Sequence, residues 1–212
     1  MKRHLFIGIA ICVLATIVLA GISFPVAAQS RWYAYGEITG SFKGADTKIE
    51  WANPTVRDGG FSDETLWVAN GTKWVEVGWT KADPPGSPPM GIYLYYAWND
   101  GTYHEQFLES TSSHNTYKIE YYSGNSWRIY INGALRATVN AGFSTANRIV
   151  CGGEVTSNTN AMGISGTLNL RYKTTDQRWL YWPSTTLHWD SPYWVVKLGG
   201  SNSNLQNGGN NP

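Results

Sequence analysis

Four pairs of turn-forming residues recur at short intervals and constrain the fold of this chain more than any other feature. The pairs are Asn70-Gly71, Asp100-Gly101, Gly124-Asn125 and Asn132-Gly133. Each pair lies between two runs in which apolar and polar residues alternate, and such a pair favours a tight two-residue hairpin because its residues tolerate positive φ. Successive hairpins of this kind predict an antiparallel meander.

The composition agrees with a chain made of strands. All 11 Trp and 13 Tyr lie beyond residue 28, among Gly, Asn, Ser and Thr, and no segment has the apolar spacing of an amphipathic helix. Thirteen strands are predicted, at 32–39, 47–51, 65–69, 73–80, 91–99, 102–108, 115–122, 127–131, 134–139, 148–155, 163–172, 177–182 and 193–198. So many short strands predict an all-β fold, an antiparallel two-sheet β-sandwich of the concanavalin-like jelly-roll type.

Residues 1–28 have the pattern of a signal peptide. Lys2 and Arg3 precede a largely apolar run, and the small residues that end at Ala28 suit a signal peptidase. We predict cleavage near Ala28 and a secreted protein without stable membrane insertion. An uncleaved membrane anchor is the alternative, because the apolar run is long enough to span a bilayer.

The remaining chain is predicted to form one domain and a tail. Residues 29–198 are enough for a single β-sandwich with one large core. The four prolines of 83–90 exclude a sheet interior and predict a surface loop. Residues 199–212 are rich in Gly, Ser and Asn and offer little to bury, so they are predicted to be a disordered tail.

Charge and cysteine content limit the partners. Loss of residues 1–28 leaves 14 of the 16 Lys and Arg against all 15 Asp and Glu, a net charge of −1 that does not suit nucleic acid. Cys151 is then the only cysteine, so no intramolecular disulfide can form, and its apolar strand predicts a buried, inert thiol. His104, His114 and His188 are scattered, which predicts neither a metal site nor a cofactor. We expect a monomer.

The strand at 73–80 carries a carboxylate in an unusual setting. Its side chains alternate, so that Trp74, Glu76 and Gly78 share the face opposite Val75 and Val77. Because Glu is depleted in strands and rarely buried, Glu76 between an aromatic residue and a glycine is a candidate site residue. A solvent-facing Glu on a half-exposed strand is the alternative.

A second carboxylate, Glu154, has a similar setting. It closes the apolar strand 148–155 directly after Gly152 and Gly153, which suggest a bulge or the close approach of another backbone. Glycines beside a carboxylate also leave room for a substrate chain. The alternative is a hairpin corner with a solvated Glu.

Several short motifs in a fixed order resemble a known family. They are Gly44-Ala45, Trp51-Ala52-Asn53-Pro54-Thr55-Val56, Phe61-Ser62, Leu66-Trp67-Val68, Val75-Glu76-Val77-Gly78-Trp79, Gly152-Gly153-Glu154-Val155 and Met162-Gly163. From about residue 44 to residue 166, their order is similar to that of neprosin-type peptidase domains. The resemblance implies a secreted glutamic endopeptidase on a concanavalin-like sandwich, with Glu76 and Glu154 facing each other across a groove. Its partner would be a peptide or protein substrate, and cleavage next to proline stays open.

Peptide hydrolysis needs two carboxylates in different protonation states. An ionised Glu takes a proton from water, while a protonated partner donates to the developing oxyanion and later to the leaving amine. Two neighbouring carboxylates in a partly dry groove would share one proton at acidic pH, because both cannot be charged at low cost. The sequence leaves open which of Glu76 and Glu154 is the base.

Aromatic residues near Glu76 could line the groove. We predict Trp74 together with Tyr93 and Tyr95, and keep Tyr96 with Trp98 as the other choice because they occupy the opposite face of the same strand. Aromatic residues on sandwich strands also serve as core or as cross-strand pairs, which is the alternative for all of them.

Two other functions remain open. A non-catalytic carbohydrate-binding or surface module is suggested by the hairpin 127–133, which is common in lectin-like sandwiches. A small secreted glycoside hydrolase would also use a Glu pair and aromatic plates. Only the motif order favours the peptidase.

Overall fold

A computed structural model of the chain describes residues 30–57, 59–82 and 91–210. The predicted signal peptide and the predicted loop at 83–90 lie outside these residues. In the described ranges, no helix is both long and apolar enough to cross a membrane.

The described part of the chain contains fourteen strands and one short 3₁₀ helix, Leu198–Gly200. In chain order the strands are β1 Trp32–Ile49, β2 Phe61–Asn70, β3 Lys73–Ala82, β4 Gly91–Asn99, β5 Tyr103–Ser110, β6 Asn115–Ser123, β7 Ser126–Ile131, β8 Ala134–Asn140, β9 Ala146–Val155, β10 Met162–Thr174, β11 Trp179–Tyr181, β12 Thr186–Trp189, β13 Trp194–Lys197 and β14 Leu205–Gly209.

Strand β1 is 18 residues long and belongs to two sheets. Its first half pairs with β9 and β12, and its second half pairs with β10 and β6. A register shift between Thr39 and Phe42 separates the halves, as expected where a bulge bends a strand. The predicted all-β antiparallel sandwich is confirmed.

The two sheets have different roles. The site sheet has the order β12-β1-β9-β2-β3-β4-β5, and the back sheet has the order β8-β7-β6-β1-β10-β14-β13, with β11 also on β10. The four predicted hairpins form as two meanders rather than one, because β2 to β5 belong to the site sheet and β6 to β8 to the back sheet. The predicted strand at 32–39 and the first three residues of the one predicted at 47–51 belong to β1, which ends at Ile49.

One apolar core lies between the sheets. The inner face of the site sheet contributes residues such as Leu66 and Val77, and the back sheet contributes residues such as Trp127 and Ile129, all essentially inaccessible to water. Burial of each such side chain contributes about 1.5–3 kcal/mol. Cys151 lies in this core with a free thiol, as predicted, and burial raises its pKa well above the ordinary value.

The prediction of a disordered tail from residue 199 is wrong. Strand β14 lies between β10 and β13 and pairs with both. Leu205 is buried in the core, and the buried Asn207 side chain donates a hydrogen bond to Glu64. A Gly- and Asn-rich segment with one apolar anchor is therefore held by backbone pairing, which its composition did not reveal.

Candidate active site

Strand register brings both predicted carboxylates to the outer face of the site sheet. Glu154 of β9 lies directly opposite Asp63 of β2, and Glu76 of β3 lies directly opposite Trp67 of β2. Asp63 and Trp67 are four residues apart on one strand, so their side chains point to the same face. Directly opposite residues also share a face, and the four side chains therefore form one group.

A cavity of about 260 Å³ opens over this group. Glu76, Glu154, Trp74 and Tyr95 all line it, together with residues that the sequence analysis did not predict to lie in the site. Among the latter are Arg31, Tyr33, Phe61, Asp63, Trp67 and Tyr103. The structure thus brings together two predicted carboxylates that are 78 positions apart in the chain.

The other predicted aromatic residues lie elsewhere. Tyr93 is not among the residues that line the cavity, and its ring packs over Gly91, 3.0 Å from where a side chain at that glycine would begin. Tyr96 and Trp98 pack against the core, on the opposite side of β4 from Tyr95. Of the two predicted aromatic sets, only Tyr95 reaches the cavity beside Trp74.

Two glycines let neighbouring strands of the site sheet approach closely beside the carboxylates. Thr65 lies on β2 between Asp63 and Trp67 on the same face of the sheet. Its two partners on the neighbouring strands are both glycines, Gly152 on β9 and Gly78 on β3. A Cβ at Gly78 would stand 2.1 Å from the Glu64 carbonyl oxygen, and one at Gly152 would stand 2.3 Å from that of Ala34. The close backbone approach predicted beside Glu154 is confirmed.

Glu76 is buried among hydrogen-bond donors. The Trp67 indole donates to Oε2, and the Tyr95 hydroxyl lies 2.6 Å from Oε1. No ion pair to Glu76 is formed within the described residues. Burial, followed by the negative charge of Glu154, raises the pKa of Glu76 to about 8. This carboxyl is therefore protonated in acidic and neutral solution.

Glu154 has a cation beside it. Arg31, the residue before β1, donates a hydrogen bond to its Oε1. Burial raises the pKa of Glu154, while the attraction and the hydrogen bond of Arg31 oppose that rise. The negative charge of Glu154 raises the pKa of Glu76, so the two carboxylates interact. Of the pair, Glu154 is the one with a cation that opposes the effect of burial on its pKa.

Asp63 is a third carboxylate in the group, and the sequence did not predict it. Its side chain is 5% exposed, and its Oδ2 lies 3.1 Å from the Tyr95 hydroxyl. Burial, then the charges of Glu154 and Glu76, raise its pKa well above the ordinary value. The predicted strand began at residue 65, and the alternation of β2 from Phe61 was the signal that could have placed Asp63 on the polar face.

The cavity offers acid–base groups rather than metal ligands. Within the described ranges, no group of three or more His, Cys, Asp or Glu side chains is arranged to hold a metal ion. The arrangement supplies one carboxylate with an Arg partner and one, without an ion pair, that burial favours in its neutral form. Such a pair of unlike carboxyl groups suits general acid–base catalysis.

Solved structures of peptidases have a similar fold. Scytalido-glutamic peptidase with a peptide-based transition-state analogue matches with a TM-score of 0.59 and 9% identity, over 84% of this chain and 98% of that chain. SCP-B, a member of the eqolisin family of peptidases in a complex with the tripeptide Ala-Ile-His, matches with a TM-score of 0.57 and 8% identity, over the same shares of the two chains. The fold is common to all three.

At such low identity these likenesses concern the fold and not the chemistry. No protein-family model and no curated protein sequence matches the chain. The structural neighbours thus include glutamic and eqolisin-type peptidases with a β-sandwich fold, whereas the resemblance to neprosin-type domains stays a prediction.

Proposed function

We propose that this protein is a peptide hydrolase in which Glu154 is the general base and Glu76 the general acid. The observation that carries the proposal is the unlike surroundings of two carboxylates in one cavity. Arg31 pairs with Glu154 and opposes the effect of burial on its pKa, whereas Glu76 is buried without an ion pair and its pKa is raised to about 8. The shared fold with peptidases supports this choice among Glu-pair enzymes.

The reaction would proceed in two stages. Glu154 accepts a proton from a water molecule while the water oxygen bonds to the carbonyl carbon of the peptide. Glu76 donates a hydrogen bond to the carbonyl oxygen, which stabilises the charge that develops there. When the carbon–nitrogen bond breaks, Glu76 delivers its proton to the leaving nitrogen. Each turnover then leaves one proton on Glu154 and an ionised Glu76.

The cavity walls suit a peptide chain. Trp74 and Tyr103 form an edge-to-face pair with ring centroids 5.9 Å apart, and Tyr103 is 54% exposed at the rim. Exposed aromatic rings of this kind can contact apolar or proline side chains of a substrate. We further propose that the protein is secreted after cleavage near Ala28 and acts in an acidic medium.

Substrate class provides the direct test. The purified chain without residues 1–28 is expected to release peptides from casein in mildly acidic solution, at about pH 6, where Glu76 is protonated and Glu154 can ionise, and to release no reducing sugar from xylan or β-glucan. Mass spectrometry of the peptides and a reducing-sugar assay measure the two outcomes. Sugar release without peptides would replace the peptidase by a glycoside hydrolase, and binding without either product would favour the non-catalytic module.

Replacement of the cation beside Glu154 should shift the pH profile. In Arg31→Gln the pKa of Glu154 is expected to rise, because the attraction that opposes the effect of burial is lost. The base then ionises only at higher pH. The acidic limb of the pH profile of kcat/KM, along which the rate rises with pH, therefore shifts to higher pH by about one unit or more. Arg136→Gln, which breaks the ion pair with Glu109, is the control and should leave the limb unchanged. An unshifted limb in Arg31→Gln would exclude Glu154 as the base.

A further inference from the structure

One hydroxyl group connects two of the buried carboxylates. The Tyr95 oxygen lies 2.6 Å from Glu76 Oε1 and 3.1 Å from Asp63 Oδ2. A phenol has a single proton, so it can donate to only one of them at a time. The other carboxyl group must then be protonated and donate to the Tyr95 oxygen, because two charged carboxylates would repel each other at this distance in a buried site.

Trp67 determines which oxygen of Glu76 carries the proton. The indole nitrogen is a donor and cannot accept, so it keeps Glu76 Oε2 as an acceptor. The proton of a neutral Glu76 is thereby directed to Oε1, the oxygen that contacts Tyr95. Asp63, Tyr95 and Glu76 therefore form a continuous line of hydrogen bonds from β2 to β3.

The far end of this line lies beside the general base. Asp63 is directly opposite Glu154 on the neighbouring strand, and the Cβ atoms of such paired residues are about 4.5–5.5 Å apart. Its second oxygen, Oδ1, has no hydrogen-bond partner among the described residues although it is buried. A buried oxygen without a partner can accept a proton from a neighbouring carboxyl group.

We propose that Asp63 and Tyr95 form a proton relay that carries the proton from Glu154 back to Glu76 after each turnover. This inference rests on the proposed function, in which a turnover leaves Glu154 protonated and Glu76 ionised. All four side chains are at most 8% exposed, so exchange of these protons with bulk water is hindered. An internal path would restore the starting state without it.

The relay balances as a single proton transfer. The Asp63 Oδ2–H bond breaks as a new Tyr95 Oη–H bond forms, and the original Oη–H bond breaks as the Glu76 Oε1–H bond forms. The ionised Asp63 then takes the proton of Glu154 on Oδ1. A half-turn of the Asp63 carboxyl group, together with rotation of the Tyr95 hydroxyl back toward Glu76, restores the starting arrangement. Tyr95 remains neutral before and after, and one proton has moved from Glu154 to Glu76.

Other charged and titratable groups face the relay from the neighbouring elements. Two of them act on the pKa values within the relay. The charge of Glu105 on β5 raises the pKa of Glu76, and the charge of Arg31 opposes the rise that burial causes in the pKa values of Asp63 and Glu76. Around the same cavity lie Tyr33 on β1, Arg148 on β9 and Tyr103 on β5. Variants that test the relay should therefore leave these groups in place.

Tyr95→Phe tests the relay because it removes the hydroxyl and keeps the ring. We expect kcat for peptide cleavage to fall about 10- to 100-fold with KM within about twofold, since a proton transfer and not substrate binding is lost. Formate or acetate at increasing concentration should restore much of kcat in this variant and leave the wild type unaffected. Asp63→Asn should behave in the same way, and the double variant should be no slower than the slower single one. Tyr93→Phe is the matched control, on the same strand and outside the cavity.

A second measurement does not depend on activity. In ¹³C NMR titration of labelled Glu side chains, Tyr95→Phe should raise the midpoint of Glu76, because the hydroxyl lowers the pKa of this carboxyl by a hydrogen bond. An unchanged midpoint, or a kcat that falls without any rescue by small acids, would overturn the relay. A wild type that cleaves no peptide would contradict the proposed function instead, and the titration would still decide whether the Tyr95 link exists.

Discussion

Glu76→Gln and Glu154→Gln are each expected to lower kcat/KM for peptide cleavage by about 10³-fold or more, a loss of roughly 4 kcal/mol of transition-state stabilisation. Glutamine keeps the shape of the side chain but can neither take a proton from water nor donate one to the leaving nitrogen. The double variant should be little slower than either single variant, because groups that act as a unit are strongly non-additive. Steady-state kinetics on one peptide substrate measures all three.

Glu120→Gln is a suitable control for these variants. Glu120 lies on β6 in the back sheet, where it pairs with Lys118 and Lys173. This substitution should leave activity within about threefold. Glu105 is a poor control although it lies outside the catalytic pair, because its charge raises the pKa of Glu76. Full activity with an unchanged pH profile in either Gln variant of the pair would disprove the Glu-pair mechanism.

Stability should fall as pH rises from about 4.5 to about 8, and Glu64 is the main cause. Its side chain points into the protein, on the opposite side of β2 from Asp63, and is fully buried. Asn207 donates one hydrogen bond of 2.7 Å to Oε2, while Oε1 has no partner among the described residues. Burial raises the pKa of Glu64 from 4.5 to about 8, against the effect of the Asn207 hydrogen bond.

The direction of the change in stability with pH follows from proton binding in the folded and unfolded states. Because the pKa is higher in the folded state, the folded protein binds more protons than the unfolded chain between pH 4.5 and 8. The stabilisation is complete below the unfolded pKa and is lost as pH rises through the folded pKa. The shift corresponds to a loss on the order of 3–5 kcal/mol in the free energy of unfolding. Glu76 contributes in the same direction, since its pKa is raised as well.

Denaturant unfolding at pH 4.5, 6 and 8 measures this dependence. Glu64→Gln, whose amide oxygen can still accept from Asn207, should flatten it, since no carboxyl group at that position needs to ionise. Glu109→Gln, which changes an exposed side chain paired with Arg136, is the matched control and should follow the wild type. Equal pH dependence in Glu64→Gln and wild type would show that Glu64 stays charged in the folded protein.

These effects favour the same conditions. Asp63, Glu64, Glu76 and Glu154 all have raised pKa values because each is buried. Acidic solution keeps Glu64 neutral in the core and Glu76 protonated in the cavity, so stability and the proposed catalysis should both be lost on the alkaline side.

Features set by neighbours in sequence were predictable from the sequence. Turn pairs such as Asn132-Gly133 form hairpins through their own backbone preferences, and period-2 alternation put Trp74, Glu76 and Gly78 on one face of β3. The two glycines before Glu154 correctly indicated a close backbone approach, because only a residue without a side chain fits there. The sandwich fold and two of the three carboxylates of the cavity, Glu76 and Glu154, were therefore identified from local patterns, and their catalytic role stays a prediction.

Features that depend on distant strand pairing were decided by the tertiary structure alone. Asp63 joins the site because β2 and β9, some 90 residues apart, pair in a register that places it opposite Glu154. Arg31 becomes the partner of Glu154 because β1 pairs with β9, and residues 205–209 become a strand because β10 and β13 leave a place between them. Register and sheet order follow from how all the strands bury their apolar faces together, which no local pattern records.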